Sequence, residues 1–437
     1  MTDVSYDRTL ADGVKPPEKH EEAPPAAPLT AADGTPLKKK LAITMRRARM
    51  RAFLLTAPLL VFLMVFFVVP IGQMLFLSVH NPTFADAMPR TTEALAEWDG
   101  SEIPGEDIFA LLVEDMREAR ADRTIGRVAT RMNYEVPGTR SLFTSTGRKA
   151  ARLEPPFKEA LIDADEDWGS LEVWAAMKRV SSTMTGSFYL AALDRQVNVD
   201  GEIVMQDENR QIYVPLFWRT FWMSALITVL CMLLAYPVAY LLSTLPLKYS
   251  NLLMILVLLP FWTSLLVRTT SWIAMLQTQG VINDLMVFFR IIGDDNRIQM
   301  MFNQTGTIIA MTHILLPFMI LPLYSVMKTI PPSYMRAARS LGATPLTAFI
   351  RVYFPQTLPG IAAGTLLVFI LAVGYYITPA LVGGQSGQLI SNFIAYHIQT
   401  SLNWGLAAAL GCVLFVAVLL LFLLYDRVLG LDRMKLG

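Results

Sequence analysis

The stretch that decides the fold runs from Ile330 to Gly360 and reads IPPSYMRAARSLGATPLTAFIRVYFPQTLPG, between two strongly apolar segments. Two consecutive prolines open it, and because proline lacks an N–H donor they end the preceding helix. Gly342 suits a left-handed C-terminal cap, whereas Thr344 and Pro345 suit the N-cap and first residue of a following helix. The stretch therefore predicts two short helices joined at a sharp corner.

The first of these helices carries a face of small and apolar side chains. Four residues recur at the i, i+3, i+4, i+7 spacing of one helical face, namely Tyr334, Ala337, Ala338 and Leu341. Arg336 and Arg339 flank that face. A shallow face between two cations indicates a surface that enters a cleft on a partner protein. The alternative is an ordinary turn between two membrane helices.

The composition indicates a membrane protein. Of the 437 residues, 54% are hydrophobic and 17% are charged, against about 25% charged in soluble domains. A net charge of +1 gives no reason to expect a nucleic-acid partner. Cys231 and Cys412 lie inside apolar segments, which rules out a disulfide framework and a CxxC metal site. The sequence has no phosphate-binding GxxxxGK[ST] loop, so we predict no catalytic residue and no metal ligand.

The chain before the second apolar segment divides into three parts. Residues 1–40 are rich in proline and charge and are predicted to be a disordered cytoplasmic tail. Residues 41–80 contain the first membrane span, near Ala52–Val79, behind a cluster of lysines and arginines that keeps the N-terminus in the cytoplasm. Residues 81–213 form a polar insertion with 24 acidic and 15 basic residues, which we expect on the extracytoplasmic side.

The insertion is predicted to be mostly helical. Glu106–Arg120 and Pro156–Ser181 have helical periodicity. Asp200–Gly201 lies between two short apolar runs, which is the pattern of a β-hairpin with a type I′ turn. We interpret the insertion as a solvated cap, and the alternative is a domain that contacts the substrate.

Residues 214–437 are predicted to hold five further spans and the loop at 330–360. The spans are expected near Phe217–Leu245, Leu252–Leu276, Thr305–Met327, Ile361–Leu381 and Gly405–Tyr425. With an inside start, six spans place both termini and the 330–360 loop in the cytoplasm. An interfacial helix is expected at Val281–Ile291.

The 330–360 loop resembles the EAA motif of binding-protein-dependent ABC importers. Ala337, Ala338, Gly342 and Pro355 match the motif, and Arg336 stands where the motif has a glutamate. The resemblance implies that the loop is the coupling element that docks on a separate ATPase. The residues carried over to that role are Tyr334, Arg336, Ala337, Ala338, Arg339, Leu341, Gly342 and Pro355.

Further segments resemble the permeases of the spermidine/putrescine branch of these importers, among them AYPVAYLL from Ala235, LPFWTSLLVRTTSW from Leu259 and YYITPALVGG from Tyr375. The resemblance implies an all-α permease of six transmembrane helices with the type I importer fold, in a bacterial inner membrane. It also implies a second related permease, two ATPase subunits that bind the ATP and magnesium, and a periplasmic substrate-binding protein. No cofactor is expected in this chain.

Polar and aromatic residues at depth in the spans are candidates for the substrate path. They are Trp262, Arg268, Tyr375, Tyr376 and Thr378. An indole at Trp262 suits an organic cation, and the alternative is packing beside Pro260. Arg268 has the alternative of an interfacial anchor that snorkels to the membrane surface. A helix broken before Pro379 would offer hydroxyls and freed carbonyls to the path, and the alternative for Tyr375, Tyr376 and Thr378 is helix packing.

The sequence leaves the cargo open. A path for polyamines is expected to show carboxylates, yet the predicted spans contain no aspartate or glutamate. Other small amines, amino acid derivatives and phosphonates therefore remain alternatives. A membrane receptor whose outer domain binds a ligand is the alternative from another functional class, although the tail after Tyr425 offers only 12 residues for a signalling domain.

Overall fold

The computed structural model describes residues 37–429. The chain divides into two compact units, one ending at Pro70 and the other starting at Ile71. The first candidate membrane span, Leu41–Leu77, is helical as Leu37–Leu63, a π-helical turn Met64–Val68 and Val69–Leu77. Of the predicted tail at 1–40, only the last four residues lie within the described part, and they are helical.

The insertion folds around a core of its own. Its helices are Thr83–Ala87, Pro89–Glu97, Glu106–Ala121, Ile125–Glu135, Thr139–Lys149, Phe157–Ala164, Leu171–Ser181 and Ser187–Ala192. Fully buried aromatic side chains fill the centre, with the Phe109 and Trp174 ring centroids 4.6 Å apart and those of Phe143 and Trp168 5.2 Å apart. Both buried indoles are satisfied, since Trp168 donates to the Thr146 hydroxyl at 3.0 Å and Trp174 to a carbonyl at 2.9 Å.

The predicted helical character of Pro156–Ser181 is confirmed, in two helices separated by a 3-10 turn at Glu166–Gly169 that buries Trp168 in the core. The prediction for the hairpin needs a correction. The hairpin exists, with Arg195–Val197 antiparallel to Ile203–Met205. Its turn is not type I′, because that type needs positive φ at both central residues and in this loop only Gly201 has it, at φ 81°.

A single carboxylate joins the end of the insertion to the next membrane helix. Asp194 is 1% exposed and accepts hydrogen bonds from the backbone N–H groups of Ile212, Tyr213 and Val214 at 3.2, 2.9 and 2.8 Å. These are donors that a helix start leaves unpaired, and an anion there is favoured by the helix dipole. Asp194 therefore caps the helix Tyr213–Thr244 from 19 residues upstream of its first residue.

The remaining elements form the membrane core. Its helices are Tyr213–Thr244, Leu247–Trp262, Leu265–Leu276, Val281–Phe288, Gln304–Thr329, Pro332–Ser340, Pro345–Ala348, Phe354–Gly374, Ile377–Val382, Gly384–Gly387, Ile390–Gln399 and Trp404–Leu429, with a π-helical turn at Phe349–Tyr353. Tyr213–Thr244, Gln304–Thr329 and Phe354–Gly374 pack together around buried aliphatic side chains. Five helices of the described chain are long and apolar enough to cross a membrane, and a bent pair makes a sixth.

The third span is not the continuous helix predicted at Leu252–Leu276. It is broken after Trp262, and the two halves meet at 96°. Pro260 removes one backbone donor, and Ser264 starts the second half as an N-cap that accepts from the Val267 N–H at 3.1 Å. The predicted interfacial helix follows, shortened to Val281–Phe288.

The fifth span was also predicted with the wrong bounds. One continuous helical run extends from Pro345 to Gly374, not from Ile361 to Leu381. It stops at Tyr375, whose backbone is extended, and a separate short helix Ile377–Val382 follows. The third span is thus broken in its middle, and the fifth ends in a break.

Candidate functional site

The corner in the 330–360 loop is built by a helix end around Gly342. The helix Pro332–Ser340 closes with the Gly342 N–H donating to the Arg339 carbonyl at 3.0 Å and the Ala343 N–H donating to the Ala338 carbonyl at 3.1 Å. This pair of bonds is a Schellman motif, which needs a left-handed residue at its turn. Gly342 has φ 90°, so the predicted C-terminal cap is confirmed.

The chain turns directly from Gly342 into the long helix. Thr344 accepts a hydrogen bond from the Thr347 N–H at 3.2 Å, and Pro345 is the first helical residue, as predicted. The second short helix of the prediction is wrong as an independent element, because Pro345–Gly374 is one run. Pro355 therefore lies inside the beginning of a membrane helix and not in a loop.

The small-residue face of the corner points away from the chain. Leu341 is 89% exposed and Tyr334 is 49% exposed, and Ala337 lies in the open between them. Arg336 and Arg339 are exposed as well, and neither forms an ion pair with a residue in the described range 37–429. Apolar side chains that stand out between unpaired cations form a surface suited to a partner with acidic and apolar groups.

An aromatic cluster that sequence reasoning missed holds this corner to the second span. We define the aromatic cluster as Tyr236, Tyr240, Phe349, Tyr353 and Phe354. The Tyr240 ring lies 5.4 Å from the Tyr353 ring and 5.7 Å from the Phe349 ring, both edge-on. Phe349–Tyr353 is also the π-helical turn of the long helix. The signal was present in the i, i+4 aromatic pairs of both segments, which place their rings on one face.

The break in the third span leaves Trp262 projecting from a helix end. Trp262 is the last residue of Leu247–Trp262, and its side chain is 71% exposed. The alternative of plain packing beside Pro260 is wrong within this chain, because an indole exposed to that degree has few neighbours. Trp262 is thus available to a ligand, a lipid or a second subunit.

Arg268 closes the same break. Its guanidinium donates to the Pro260 carbonyl and, at 3.1 Å, to the Thr263 carbonyl, both at the end of the preceding half-helix. The side chain thus folds back onto its own corner. A cation at carbonyls left free by a helix end is favourable, so Arg268 stabilises the bend.

The second break, at Tyr375 and Tyr376, is also sealed from within. The Val373 carbonyl accepts from the Ser391 hydroxyl at 2.6 Å, and the Tyr376 carbonyl accepts from the Asn392 amide at 2.7 Å. The prediction that freed carbonyls face the path is therefore wrong for these two. Thr378 is fully buried, and its hydroxyl has no partner within the described residues.

The two breaks meet in the core. The half-helix Leu265–Leu276, which carries Arg268, packs against Ile377–Val382, which carries Thr378, and against the fourth span Gln304–Thr329. Trp272 donates to the His313 ring nitrogen Nδ1 at 3.1 Å across the last of these contacts, so His313 is a hydrogen-bonded core residue. The structure thus brings four of the five predicted path residues into one region of two broken helices, with Trp262 at its edge.

A histidine on the insertion side of the core gives a pH-dependent prediction. His397 is 7% exposed and lies between the Tyr213 hydroxyl at 2.9 Å and the Ser401 hydroxyl at 2.8 Å. Burial lowers the pKa of His397 to about 4, while an unfolded chain binds this proton near pH 6.5. The unfolded state therefore binds more protons between these values, and stability falls as the pH falls.

We expect that loss to reach about 3 kcal/mol between pH 7 and pH 4. Thermal unfolding of the purified protein in detergent, followed in steps of pH, measures it. The His397→Gln variant removes the titrating group and should flatten the decline. An equally steep decline in the variant would assign the pH dependence to other groups.

The sequence comparison identifies the family. Residues 212–429 match the family described as binding-protein-dependent transport system inner membrane component. The spermidine/putrescine transport system permease protein PotB of Haemophilus influenzae is 37% identical over 216 residues, which are 49% of this chain and 75% of that protein. The chain belongs to the binding-protein-dependent transport permeases. It is a transport subunit of an inner membrane, as that family is.

Other similar permeases differ in the solute that they are named for. PotB of Escherichia coli is 37% identical over 49% of this chain and 78% of its own length. The molybdenum transport system permease protein ModB of Mycobacterium bovis is 28% identical over 46% of this chain and 74% of its own length. The family match begins at residue 212, so the insertion lies outside the family region.

Among solved structures, a bacterial ABC transporter involved in the import of the acidic polysaccharide alginate is similar, with a TM-score of 0.44 and 17% identity over 53% of this chain and 82% of that chain. A second structure, of an alginate ABC transporter in complex with a pentasaccharide-bound periplasmic protein, has a TM-score of 0.42 and 18% identity over 52% of this chain and 81% of that chain. At TM-scores this low, the two structures add nothing to the sequence match.

Proposed function

We propose that this permease moves a polyamine or a related small amine from the periplasm to the cytoplasm by alternating access. One observation carries the proposal, namely the 37% identity to spermidine/putrescine permeases over three quarters of their length. The family match favours transport over the receptor alternative, because the match covers the membrane core itself. In this proposal the chemistry of ATP and magnesium belongs to two separate ATPase subunits.

The coupling to those subunits is proposed to run through the corner at Gly342. Its exposed face at Ala337 and Leu341 suits a shallow cleft, and the unpaired Arg336 suits an acidic residue on the ATPase. The aromatic cluster then joins the corner to the second span. A second permease and a periplasmic binding protein complete the proposed assembly, with both termini of this chain in the cytoplasm.

The cargo assignment depends on how an amine is held without a nearby carboxylate. Within the described α-helices of the membrane core, acidic side chains occur only at Asp284, in a short helix outside the long spans, and at Asp426, near the end of the last span. A 3-10 turn outside the spans adds Asp294 and Asp295. The exposed indole of Trp262 offers a cation–π surface instead. We propose that carboxylates for the remaining amines come from the second permease.

The test is ATP hydrolysis by the reconstituted complex with its binding protein, across spermidine, putrescine and molybdate. We expect stimulation by the amines and none by molybdate. The Trp262→Ala variant should weaken amine-stimulated transport by about fivefold, as the loss of one cation–π contact of about 1 kcal/mol implies. The matched control is Trp218→Ala, which removes an indole that is 74% exposed on the second span. Stimulation by molybdate alone would overturn the amine assignment.

A further inference from the structure

A cleft of about 810 Å³ lies beside the insertion helix Ile125–Glu135, outside every site described so far. Two of its walls are ends of membrane helices. Leu77 is the last residue of the first candidate span, and Trp404 is the first residue of the last one. Lipid headgroups surround the ends of membrane helices, so a cleft built on two such ends is a candidate for contact with headgroups.

The cleft is positively charged although the insertion around it is acidic. Arg127, Arg131 and Arg140 line it together with His80, and none of its lining residues is an aspartate or glutamate. Arg131 is held by Glu135 at 2.8 Å. Arg127 and Arg140 are exposed and form no ion pair with any residue that the structure describes. The lining of this cleft is thus basic in an insertion that holds 24 acidic and 15 basic residues.

The wall at Asn403 adds an unused donor. Asn403 is 6% exposed, and its carbonyl oxygen accepts from the Leu406 N–H at 3.2 Å at the start of the last span. Its amide nitrogen is buried and has no partner among residues 37–429. A buried amide without a partner costs free energy, and an acceptor bound in the cleft would remove that cost.

The rim of the cleft is apolar. Leu402 is 64% exposed and adopts φ 56°, a conformation that residues with a Cβ rarely adopt. Trp404 is 46% exposed beside it. Tryptophan and leucine at the end of a membrane helix, next to arginines, combine the two requirements of a lipid headgroup site, an apolar contact for the glycerol region and cations for the phosphate.

We propose that the cleft binds the phosphate of an anionic phospholipid headgroup. Arg127 and Arg140 hold the phosphate oxygens, for which the planar guanidinium is well suited. Leu402 and Trp404 contact the glycerol and the upper part of the acyl chains. The site fixes the insertion to the membrane surface at the point where the last span begins.

The experiment uses the full chain in lipid nanodiscs of phosphatidylcholine with or without phosphatidylglycerol. Native mass spectrometry counts the phosphatidylglycerol molecules that stay bound, and thermal unfolding reports the stabilisation. The Arg127→Gln/Arg140→Gln variant should lower phosphatidylglycerol affinity about 25-fold, at about fivefold for each cation. The matched control is Arg148→Gln, which removes an exposed arginine from the same helix as Arg140 but outside the cleft.

Three outcomes would overturn the proposal. In the first, the double variant retains phosphatidylglycerol as well as the unaltered protein does. In the second, the Arg148→Gln control loses as much phosphatidylglycerol as the double variant does. In the third, free inorganic phosphate added to phosphatidylcholine discs would stabilise the protein as much as phosphatidylglycerol does, which would make the cleft a site for soluble anions. Neither arginine forms an ion pair within the described residues, so the double variant is expected to fold normally. Equal unfolding temperatures of the variant and the unaltered protein in pure phosphatidylcholine verify this.

Discussion

Replacement of Gly342 by valine is expected to weaken coupled transport strongly while leaving the membrane fold in place. Gly342 has φ 90°, where a residue with a Cβ is disfavoured by about 1–2 kcal/mol. Apart from the residue itself and its two chain neighbours, no atom of the described chain lies within 4 Å of a Cβ built at this position. The backbone strain is therefore expected to distort the corner, and the valine side chain stands where a partner protein would contact it.

We expect substrate-stimulated ATP hydrolysis and uptake to fall together by about tenfold or more, since 1.4 kcal/mol of misfit at an interface corresponds to that factor. The matched control is Gly138→Val, in the insertion. Gly138 has φ 93° and equally open surroundings, so this variant carries the same backbone strain away from the corner. Full coupled transport by the Gly342→Val variant would show that the corner is not the coupling element.

Replacement of Asp194 by alanine is expected to loosen the insertion from the membrane core. The carboxylate is buried and caps the second span through three N–H groups, so its loss leaves buried donors unpaired. We expect a loss of about 3 kcal/mol, from charge-assisted hydrogen bonds and a missing helix cap together. Thermal unfolding and the rate of proteolysis at the 206–212 connection measure the effect.

Two further variants separate the causes. Asp194→Asn keeps one acceptor oxygen without the charge and should recover part of the stability. Asp200→Ala removes an exposed carboxylate from the nearby hairpin loop and should change little. If Asp194→Ala melts and is cleaved as the unaltered protein is, the capping carboxylate does not hold the two parts together.

The sequence predicted the corner accurately because its chemistry is local. Gly342, Thr344 and Pro345 act through bonds to residues within five positions of themselves, and the structure shows those bonds. The predicted extent of the following helix was wrong, because such local signals mark where a helix starts and not how far it continues. Nothing between Pro345 and Gly360 prevents helix formation, and Pro355 and Pro359 are accommodated near a π-helical turn and in the first turns of a membrane helix.

Hydrophobic periodicity specified neither helix break, and only Pro379 pointed to the second of them. An apolar window through Trp262 looks continuous, and the 96° bend depends on Arg268 satisfying the carbonyls of the preceding half. The break at Tyr375 likewise depends on Ser391 and Asn392, which lie 16 or more residues along the chain from the carbonyls they bind. Such tertiary contacts decide whether an apolar segment runs straight, and a single sequence does not specify them.

The insertion contributed most of what sequence reasoning did not foresee. Its helices were predicted in outline, yet the capping by Asp194 and the basic cleft at Arg127 and Arg140 both arise from contacts with the membrane core. The cleft is lined by residues from distant parts of the chain. The Tyr134 hydroxyl, for example, donates to the Ser401 carbonyl, some 270 positions further along. Only the folded chain brings these groups together.

The helix Pro345–Gly374 begins at the corner and ends at the second break. Its 30 residues make a rod of about 45 Å, at a rise of 1.5 Å per residue. If the aromatic cluster is the pivot near one end, a tilt of about 10° would move the far end by roughly 6 Å over the remaining length of about 35 Å. Small displacements of the corner would then become larger displacements beside Tyr376 and Thr378.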